Sequence, residues 1–198
     1  MFNLPKNKKI YVSFSGGADS SLLLYELSKH HNDRKVVPLI FDTGQEPAYR
    51  KQEKCKKILD VITKENNYNF EEVHLVKAEG DSPRPVDFYK FLENREEGHV
   101  MLGITKNPNI RLGDHEQIDE QRSKEGNYVC VNGDVLDLSE TPYSKLTKRD
   151  IALKYYEYGI HNKLFPLTFS CIVNTDVHCG KCWWCQERLW GFGRIIWH

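Results

Sequence analysis

The chain has 198 residues, 39% of them hydrophobic, and its formal net charge is zero. This length fits one domain, or one domain with a small appendage, and it leaves enough apolar residues for a buried core. The balanced charge gives no strong signal for nucleic-acid binding. No apolar run approaches the roughly 20 residues of a membrane span, and the first residues lack the apolar core of a signal peptide. We therefore expect a cytoplasmic protein without a membrane partner.

The first predicted elements are a strand, a glycine turn and a helix. Residues 8–12 end in a β-branched and aromatic run typical of a buried strand, and leucines at helical spacing predict a helix from about Asp19. Gly16 and Gly17 between them allow positive φ angles and a close backbone approach. Because the N–H groups of a helix start attract anions, the turn is predicted to bind phosphate. The alternative, a glycine turn without a ligand, is disfavoured by the hydroxyl groups that flank it: Ser15, Ser20 and Ser21.

The next segments predict an open, mainly parallel α/β sheet. Val36–Asp42 and residues 73–76 are predicted strands on either side of a helix over residues 46–66, and residues 100–104 are a fourth strand. Strands that alternate with helices pair in parallel through right-handed crossovers, and helices cover both faces. Ligands bind outside the carboxyl ends of such strands, so the glycine turn and the turn after Asp42 should face one cleft.

The second half of the chain has a weaker pattern. Residues 88–97 are predicted to be helical, and the polar stretch 106–125 is interpreted as a long exposed segment, either a substrate lid or an insertion without function. An Asn-Gly pair predicts a hairpin over residues 128–138. Thr147 is predicted to cap a helix that has Asp150 at the third position of its first turn, and Gly159 should end this helix after about Tyr158.

Four of the six cysteines are clustered near the C-terminus. Cys179, Cys182 and Cys185 have CxxCxxC spacing, and Gly180 permits a turn that points the thiolates at one centre. Together with Cys171, they fit a closed tetrahedral zinc site with a structural role. An iron–sulfur cluster is the main alternative, because repeated CxxC spacing also occurs there.

The glycine turn and the cysteine cluster together resemble a known family. The sequence Ser15–Ser20 reads SGGxDS and looks like the PP-loop of the ATP pyrophosphatase superfamily, whose members cleave ATP between the α and β phosphates. The cluster from Cys171 through Cys185 to Arg188, with the stretch Thr141–Ile151, resembles the 7-cyano-7-deazaguanine (preQ0) synthase family. The resemblance covers most of both ends of the chain.

This resemblance implies an ATP-dependent ligase of queuosine biosynthesis. The enzyme would adenylate 7-carboxy-7-deazaguanine and use ammonia to form the nitrile, releasing AMP and pyrophosphate, with ATP, Mg²⁺ and Zn²⁺ as cofactors. We expect a PP-loop domain over residues 1–165 and a zinc-binding lobe over residues 166–198 packed on it. Phe165 and Phe169 are candidates to stack on the bicyclic substrate, although core packing explains them equally well. The sequence is also compatible with a homodimer.

The resemblance also implies which residues act. Asp19, Ser15 and Asp42 are expected to be catalytic, the two aspartates as Mg²⁺ ligands at the phosphates. Helix capping for Asp19 and turn formation for Asp42 are the structural alternatives. Lys148 is interpreted as an exposed surface lysine rather than a phosphate ligand. The expected ATP-binding residues are Ser13, Phe14, Ser15, Gly16, Gly17, Ala18, Asp19, Ser20, Ser21 and Phe41.

Two other functions stay open. Sulfur chemistry, as in tRNA thiolation or sulfonucleotide reduction, would need a reactive thiol near the phosphate turn. The cysteines outside the cluster, Cys55 and Cys130, are instead interpreted as small buried hydrophobic residues. The third hypothesis is a zinc-lobe binding module with an inactive PP-loop, and the intact SGGxDS motif argues against it.

Overall fold

A four-stranded parallel sheet forms the centre of the computed structural model. The structure describes residues 2, 4–42, 48–77, 98–112, 130–131, 134–135, 140–171, 173 and 177–194. The strands are β1 (Lys9–Ser13), β2 (Val36–Asp42), β3 (His74–Lys77), β4 (Gly98–Leu102), β5 (Cys130–Val131) and β6 (Asp134–Val135). The helices are α1 (Ala18–His30), α2 (Ala48–Asn66), α3 (Lys148–Glu157) and α4 (Trp183–Phe192), with a 3₁₀ turn at Phe165–Leu167.

The strand order β3-β2-β1-β4 confirms the predicted open α/β sheet. From β1 the chain winds outward through β2 to β3, whereas β4 pairs with the opposite edge of β1. The winding direction therefore reverses between β1 and β4. In open α/β sheets, ligands bind at the carboxyl ends of the strands at such a reversal. The glycine turn that follows β1 lies at this point.

The two faces of the sheet are buried by different side chains. Ile10 and Val12 of β1 belong to the main core, which also contains apolar residues of α1, α2 and α3. Tyr11 points to the opposite face and packs with apolar residues of β2, β3 and β4. This alternation follows from the two-residue period of a strand. The helix predicted over residues 88–97, between β3 and β4, lies outside the described residues.

The segment after β4 corrects one prediction. Residues 106–125 were expected to be exposed, but Asn107 and Leu112 are buried, and the Lys106 amide donates a hydrogen bond to the Leu146 carbonyl at 2.8 Å. The segment therefore packs along the turn that leads into α3. Residues 113–125 lie outside the described part. The pairing of β5 with β6 confirms the predicted hairpin, and no helix within the described ranges is long and apolar enough to cross a bilayer.

Helix α3 begins as predicted with a capping box. The Thr147 hydroxyl accepts a hydrogen bond from the Asp150 amide at 3.3 Å, and the Asp150 carboxylate accepts one from the Thr147 amide at 2.7 Å. These reciprocal bonds satisfy amides that the first helical turn leaves without partners. Gly159 follows the helix with a φ of 67°, a left-handed conformation that favours glycine.

A buried carboxylate joins α3 to α1. Glu26 accepts hydrogen bonds from the Tyr143 hydroxyl at 2.7 Å and the Tyr158 hydroxyl at 2.9 Å, and it pairs with Lys154 at 2.7 Å. Burial, followed by the Glu26 charge, raises the pKa of Tyr143 well above its usual value, so this phenol stays a donor. The carboxylate holds together the two helices whose ends flank the phosphate turn.

Glu26→Gln should therefore destabilise the fold by about 2–3 kcal/mol, because an amide cannot accept all three of these bonds and one buried donor loses its partner. Urea unfolding followed by circular dichroism measures the change. Glu157→Gln on the exposed side of α3 is the control and should change stability by less than about 0.5 kcal/mol. Equal stabilities of the two variants would contradict the assigned role of Glu26.

Candidate functional site

The turn after β1 has the geometry of an anion site. Gly16 adopts a φ of 77°, and a Cβ atom there would lie 3.4 Å from the Cys55 sulfur, so the backbone runs close to α2. Gly17 is the N-cap of α1. Since glycine has no side chain to accept hydrogen bonds from the first amides of the helix, these amides can donate to a bound anion.

The serines of the turn differ in what they can contact. The Ser15 hydroxyl oxygen lies 3.2 Å from that of Ser20 and accepts a hydrogen bond from the Gly17 amide at 3.2 Å. The fully buried Ser21 donates its hydroxyl to the Gly17 carbonyl at 2.8 Å. Ser20 also donates its hydroxyl to the Gly17 carbonyl, at 3.3 Å, so Ser20 and Ser21 share this acceptor, while the Ser15 and Ser20 hydroxyls lie together at the turn.

Two predicted ATP-binding residues direct their side chains away from the turn. Phe14 is fully buried, and Ala18 is 3% exposed, both within the main core. These two residues can contact a nucleotide only through their backbones. Phe41 is buried in the cluster on the opposite face of the sheet, and its carbonyl accepts a hydrogen bond from the Lys51 ammonium at 2.7 Å. The side chain of Asp42 lies outside the described part of the structure.

Asp19 is paired with a lysine that the sequence places 129 residues away. Lys148 was interpreted as an exposed surface lysine, and this is wrong because its side chain is only 9% exposed and its ammonium group bonds Asp19 Oδ2. The same ammonium lies 3.6 Å from Glu187 Oε2 on α4. Asp19 Oδ1 is buried without a hydrogen-bond partner. Asp19 does not cap α1, because the N-cap is Gly17.

Two further residues shape the turn between β1 and α1. Neither was identified from the sequence. Gly103 follows β4, and a Cβ atom there would lie 2.8 Å from both the Asp19 carbonyl carbon and the Ser20 amide nitrogen. The Tyr155 hydroxyl donates to the Ala18 carbonyl at 2.8 Å. The available signal for Gly103 was a glycine inside the predicted strand 100–104, because such a glycine often marks a close backbone approach. No local pattern marks Tyr155, because its partner is on another helix.

Gly103→Ala should disturb the phosphate turn, since the new methyl group would overlap backbone atoms of α1 rather than a flexible side chain. We expect a destabilisation of about 1–3 kcal/mol and a loss of nucleotide binding. Thermal unfolding and calorimetric titration with ATP measure the two effects. Gly159→Ala is the matched control. A Cβ atom at this position would meet nothing within 4 Å, but the positive φ disfavours alanine, so the variant should lose stability and keep wild-type ATP binding. Wild-type ATP affinity in Gly103→Ala would contradict this assignment.

The cysteine cluster has the donor set and spacing of a tetrahedral metal site. The four sulfur atoms all lie within 4.8 Å of one another, and those of Cys179 and Cys185 are 4.0 Å apart. Four thiolates bound to zinc at about 2.3 Å would be about 3.8 Å apart, so the cluster needs little adjustment to hold the ion. Gly180 has a φ of 71°, as the predicted turn requires. The cluster comprises Cys171, Cys179, Cys182 and Cys185.

Backbone amides lower the pKa of one of these thiols, that of Cys179. Cys179 Sγ accepts hydrogen bonds from the Cys182 amide at 3.3 Å and the Lys181 amide at 3.5 Å. These bonds, with that of Cys182 the stronger, lower the pKa of Cys179 to about 6. A thiolate is therefore favoured at neutral pH, and thiolates are the form that binds metal ions.

The cluster is connected to the phosphate turn through a short segment, residues 168–171. The Phe169 amide donates a hydrogen bond to the Gly16 carbonyl at 2.9 Å, two residues before the Cys171 ligand. On α4, the guanidinium of Arg188 donates to Thr168 Oγ1 at 2.9 Å. Arg188 is almost fully buried, and this burial lowers its pKa to about 10, so it stays cationic at neutral pH. The segment 168–171 thus contacts both the glycine turn and α4.

The two candidate stacking residues behave differently. Phe165 is fully buried and stacks on Phe192 with ring centroids 3.9 Å apart, so its interpretation as a substrate-stacking face is wrong. Phe169 is half-buried beside the turn, with the Lys54 ammonium and the His178 ring each 4.5 Å from its ring centroid. Of the two, only Phe169 lies where a ligand of the turn could contact it.

Comparison with known proteins finds a matching family model and relatives that align over most of the chain. A family model described as queuosine biosynthesis protein QueC matches residues 91–196, just over half of the chain. A 7-cyano-7-deazaguanine synthase of Aquifex aeolicus (strain VF5) is 26% identical over 216 aligned positions, covering 93% of this chain and 96% of the relative. A protein of the same name from Persephonella marina is 23% identical over 224 positions, covering 97% and 95%. Because the family model spans more than half of the chain, the chain belongs to the QueC family of queuosine biosynthesis proteins.

Proposed function

We propose that the protein is an ATP-dependent ligase that converts 7-carboxy-7-deazaguanine and ammonia into 7-cyano-7-deazaguanine, releasing AMP and pyrophosphate. The observation that carries the proposal is the near full-length similarity to relatives named 7-cyano-7-deazaguanine synthase. The glycine turn at the reversal of the sheet supports the nucleotide half of the reaction, because it combines an uncapped helix start with two adjacent hydroxyl groups.

The residues of the turn suit cleavage between the α and β phosphates. A free carboxylate is a poor acyl donor, and adenylation gives it a good leaving group. Ammonia would displace AMP to give the amide, and a second ATP would adenylate the amide oxygen, so that its loss as AMP leaves the nitrile. The amides at the start of α1, with the hydroxyls of Ser15 and Ser20, would hold the departing pyrophosphate and stabilise its charge. These donors are already oriented by the turn, so little reorganisation accompanies the reaction.

Asp19 is suited to hold a magnesium ion at the phosphates. Its Oδ1 atom is a buried carboxylate oxygen without a hydrogen-bond partner, and hard oxygen donors are what Mg²⁺ prefers. Asp42, at the carboxyl end of β2, is the proposed second acidic ligand. When bound, the ion would neutralise phosphate charge.

The cysteine cluster is proposed to hold zinc in a structural role. Four thiolates leave no open coordination position for substrate or water. The ion would fix Cys171 and, through it, the segment whose Phe169 amide bonds the Gly16 carbonyl. The 7-deazaguanine carboxylate would then bind between the strand ends and residues 168–171, with Phe169 as one wall.

A coupled assay tests the function. The protein is incubated with ATP, 7-carboxy-7-deazaguanine and an ammonium salt, and the products are identified by mass spectrometry. We expect AMP, pyrophosphate, an amide intermediate and the nitrile. Formation of AMP with the acid unchanged would keep the PP-loop chemistry and remove the substrate assignment in favour of another acceptor. If the protein neither binds ATP nor forms AMP, the remaining candidate is a zinc-lobe binding module with an inactive PP-loop.

A further inference from the structure

Three charged side chains, two buried and one partly buried, link the phosphate turn to the helix of the cysteine lobe. The side chains of Asp19, Lys148 and Glu187 are 16%, 9% and 2% exposed. The Lys148 ammonium bonds Asp19 Oδ2 and lies 3.6 Å from Glu187 Oε2, so one cation is shared by two carboxylates. Gly191 leaves room for this arrangement, because a Cβ atom there would overlap the Lys148 side chain. Lys148 is therefore held in place from α4.

The Asp19 carboxylate has two competing cationic partners in the proposed reaction. Lys148 occupies Oδ2 of Asp19, whereas a cation that arrives with the nucleotide phosphates needs this carboxylate as a ligand. In a buried site with a low effective dielectric, an ammonium that loses its only anion is strongly destabilised. Glu187 is a second anion for Lys148 at close range. Glu187 therefore lowers the free-energy cost of moving the Lys148 ammonium away from Asp19.

We propose that Glu187 is a positioning residue that retains Lys148 while Asp19 exchanges this lysine for the Mg²⁺ ion of the bound nucleotide. The inference rests on the proposed function, because it assumes that the turn binds a magnesium–nucleotide complex. Glu187 acts on the ion through Lys148 and does not itself contact the phosphates.

The neighbouring charges agree with this role. Arg188 is buried next to Glu187 and interacts electrostatically with Asp19. If Glu187 were neutral, Asp19 would be the one carboxylate paired with Lys148 among the described residues. Mg²⁺ would compete less well for this carboxylate, whereas a metal-free polyphosphate, being an anion, would lose none of its attraction to the site.

Binding of α,β-methylene-ATP, which cannot be cleaved between these phosphates, tests the inference by calorimetry. The titration is made at increasing Mg²⁺ concentrations and again in excess chelator for magnesium-free binding. In Glu187→Gln, we expect the Mg²⁺ concentration that gives half-maximal binding to rise about fivefold or more, with no loss of magnesium-free affinity. A merely structural defect would weaken both kinds of binding together.

The matched control is Glu65→Gln, which also removes a carboxylate paired with a lysine, Lys163, at 2.7 Å on the surface. This control should leave the Mg²⁺ dependence unchanged. Lys148→Gln removes the competitor itself and should lower the Mg²⁺ requirement, so it tests the inference even if Glu187→Gln does not fold. Metal content and melting temperature are measured for each variant.

An unchanged Mg²⁺ dependence in a folded Glu187→Gln, or a raised requirement in Lys148→Gln, would overturn the inference and leave the proposed function standing. A wild-type protein that does not bind the analogue at any Mg²⁺ concentration would instead overturn the proposed function. The two failures are therefore distinguishable in one set of titrations.

Discussion

Asp19→Asn should abolish the formation of AMP from ATP, with a loss of at least about 10²–10³-fold, comparable to removing one charge-stabilising group from an active site. The substitution is isosteric, but it removes the negative charge that we propose holds the magnesium ion. It also leaves Glu187 as the one carboxylate near the Lys148 ammonium among the described residues. Release of AMP and pyrophosphate from labelled ATP measures the effect, and we expect a folded protein with a full complement of metal.

The control for this variant is Asp60→Asn, on the exposed side of α2, which should retain wild-type turnover. Ser15→Ala is expected to lose AMP formation as well, because its hydroxyl lies beside the Gly17 amide and the Ser20 hydroxyl. Wild-type turnover in Asp19→Asn would remove the phosphate turn from the mechanism.

Cys182→Ser should cost the protein its metal ion and several kcal/mol of folding free energy. A serine hydroxyl is a poor ligand for zinc, and the binding energy of a closed thiolate site is part of the folding energy. We expect one zinc per wild-type chain by elemental analysis, and less than one in the variant together with a lowered melting temperature. Iron in the wild-type protein, or no metal at all, would contradict the zinc assignment.

The same variant should also lose nucleotide binding, because Cys171 and the Phe169–Gly16 hydrogen bond belong to one short segment. Cys55→Ser is the control for metal content, since Cys55 is buried under Gly16 and outside the cluster. It should retain a full equivalent of zinc. A Cys182→Ser protein that is stable and binds ATP as tightly as the wild type would show that the cluster does not support the turn.

The features that the sequence by itself determined are those whose causes lie within a few residues. The glycine turn, the capping box at Thr147 and the spacing of Cys179, Cys182 and Cys185 all depend on local backbone geometry, and the structure places them as expected. The parallel sheet was also predictable, because strands that alternate with helices have few ways to pair.

Only the tertiary structure decided which of these features meet and how their charges pair. Lys148 was interpreted as a surface residue because lysine is seldom buried without a partner. Its partner Asp19 is 129 residues away and reaches it only when α3 packs against α1. Phe165 belongs to the core for a similar reason, since α4 folds back to place Phe192 on its ring. Such long-range contacts depend on how helices and sheet pack together, and no local pattern in the sequence specifies them.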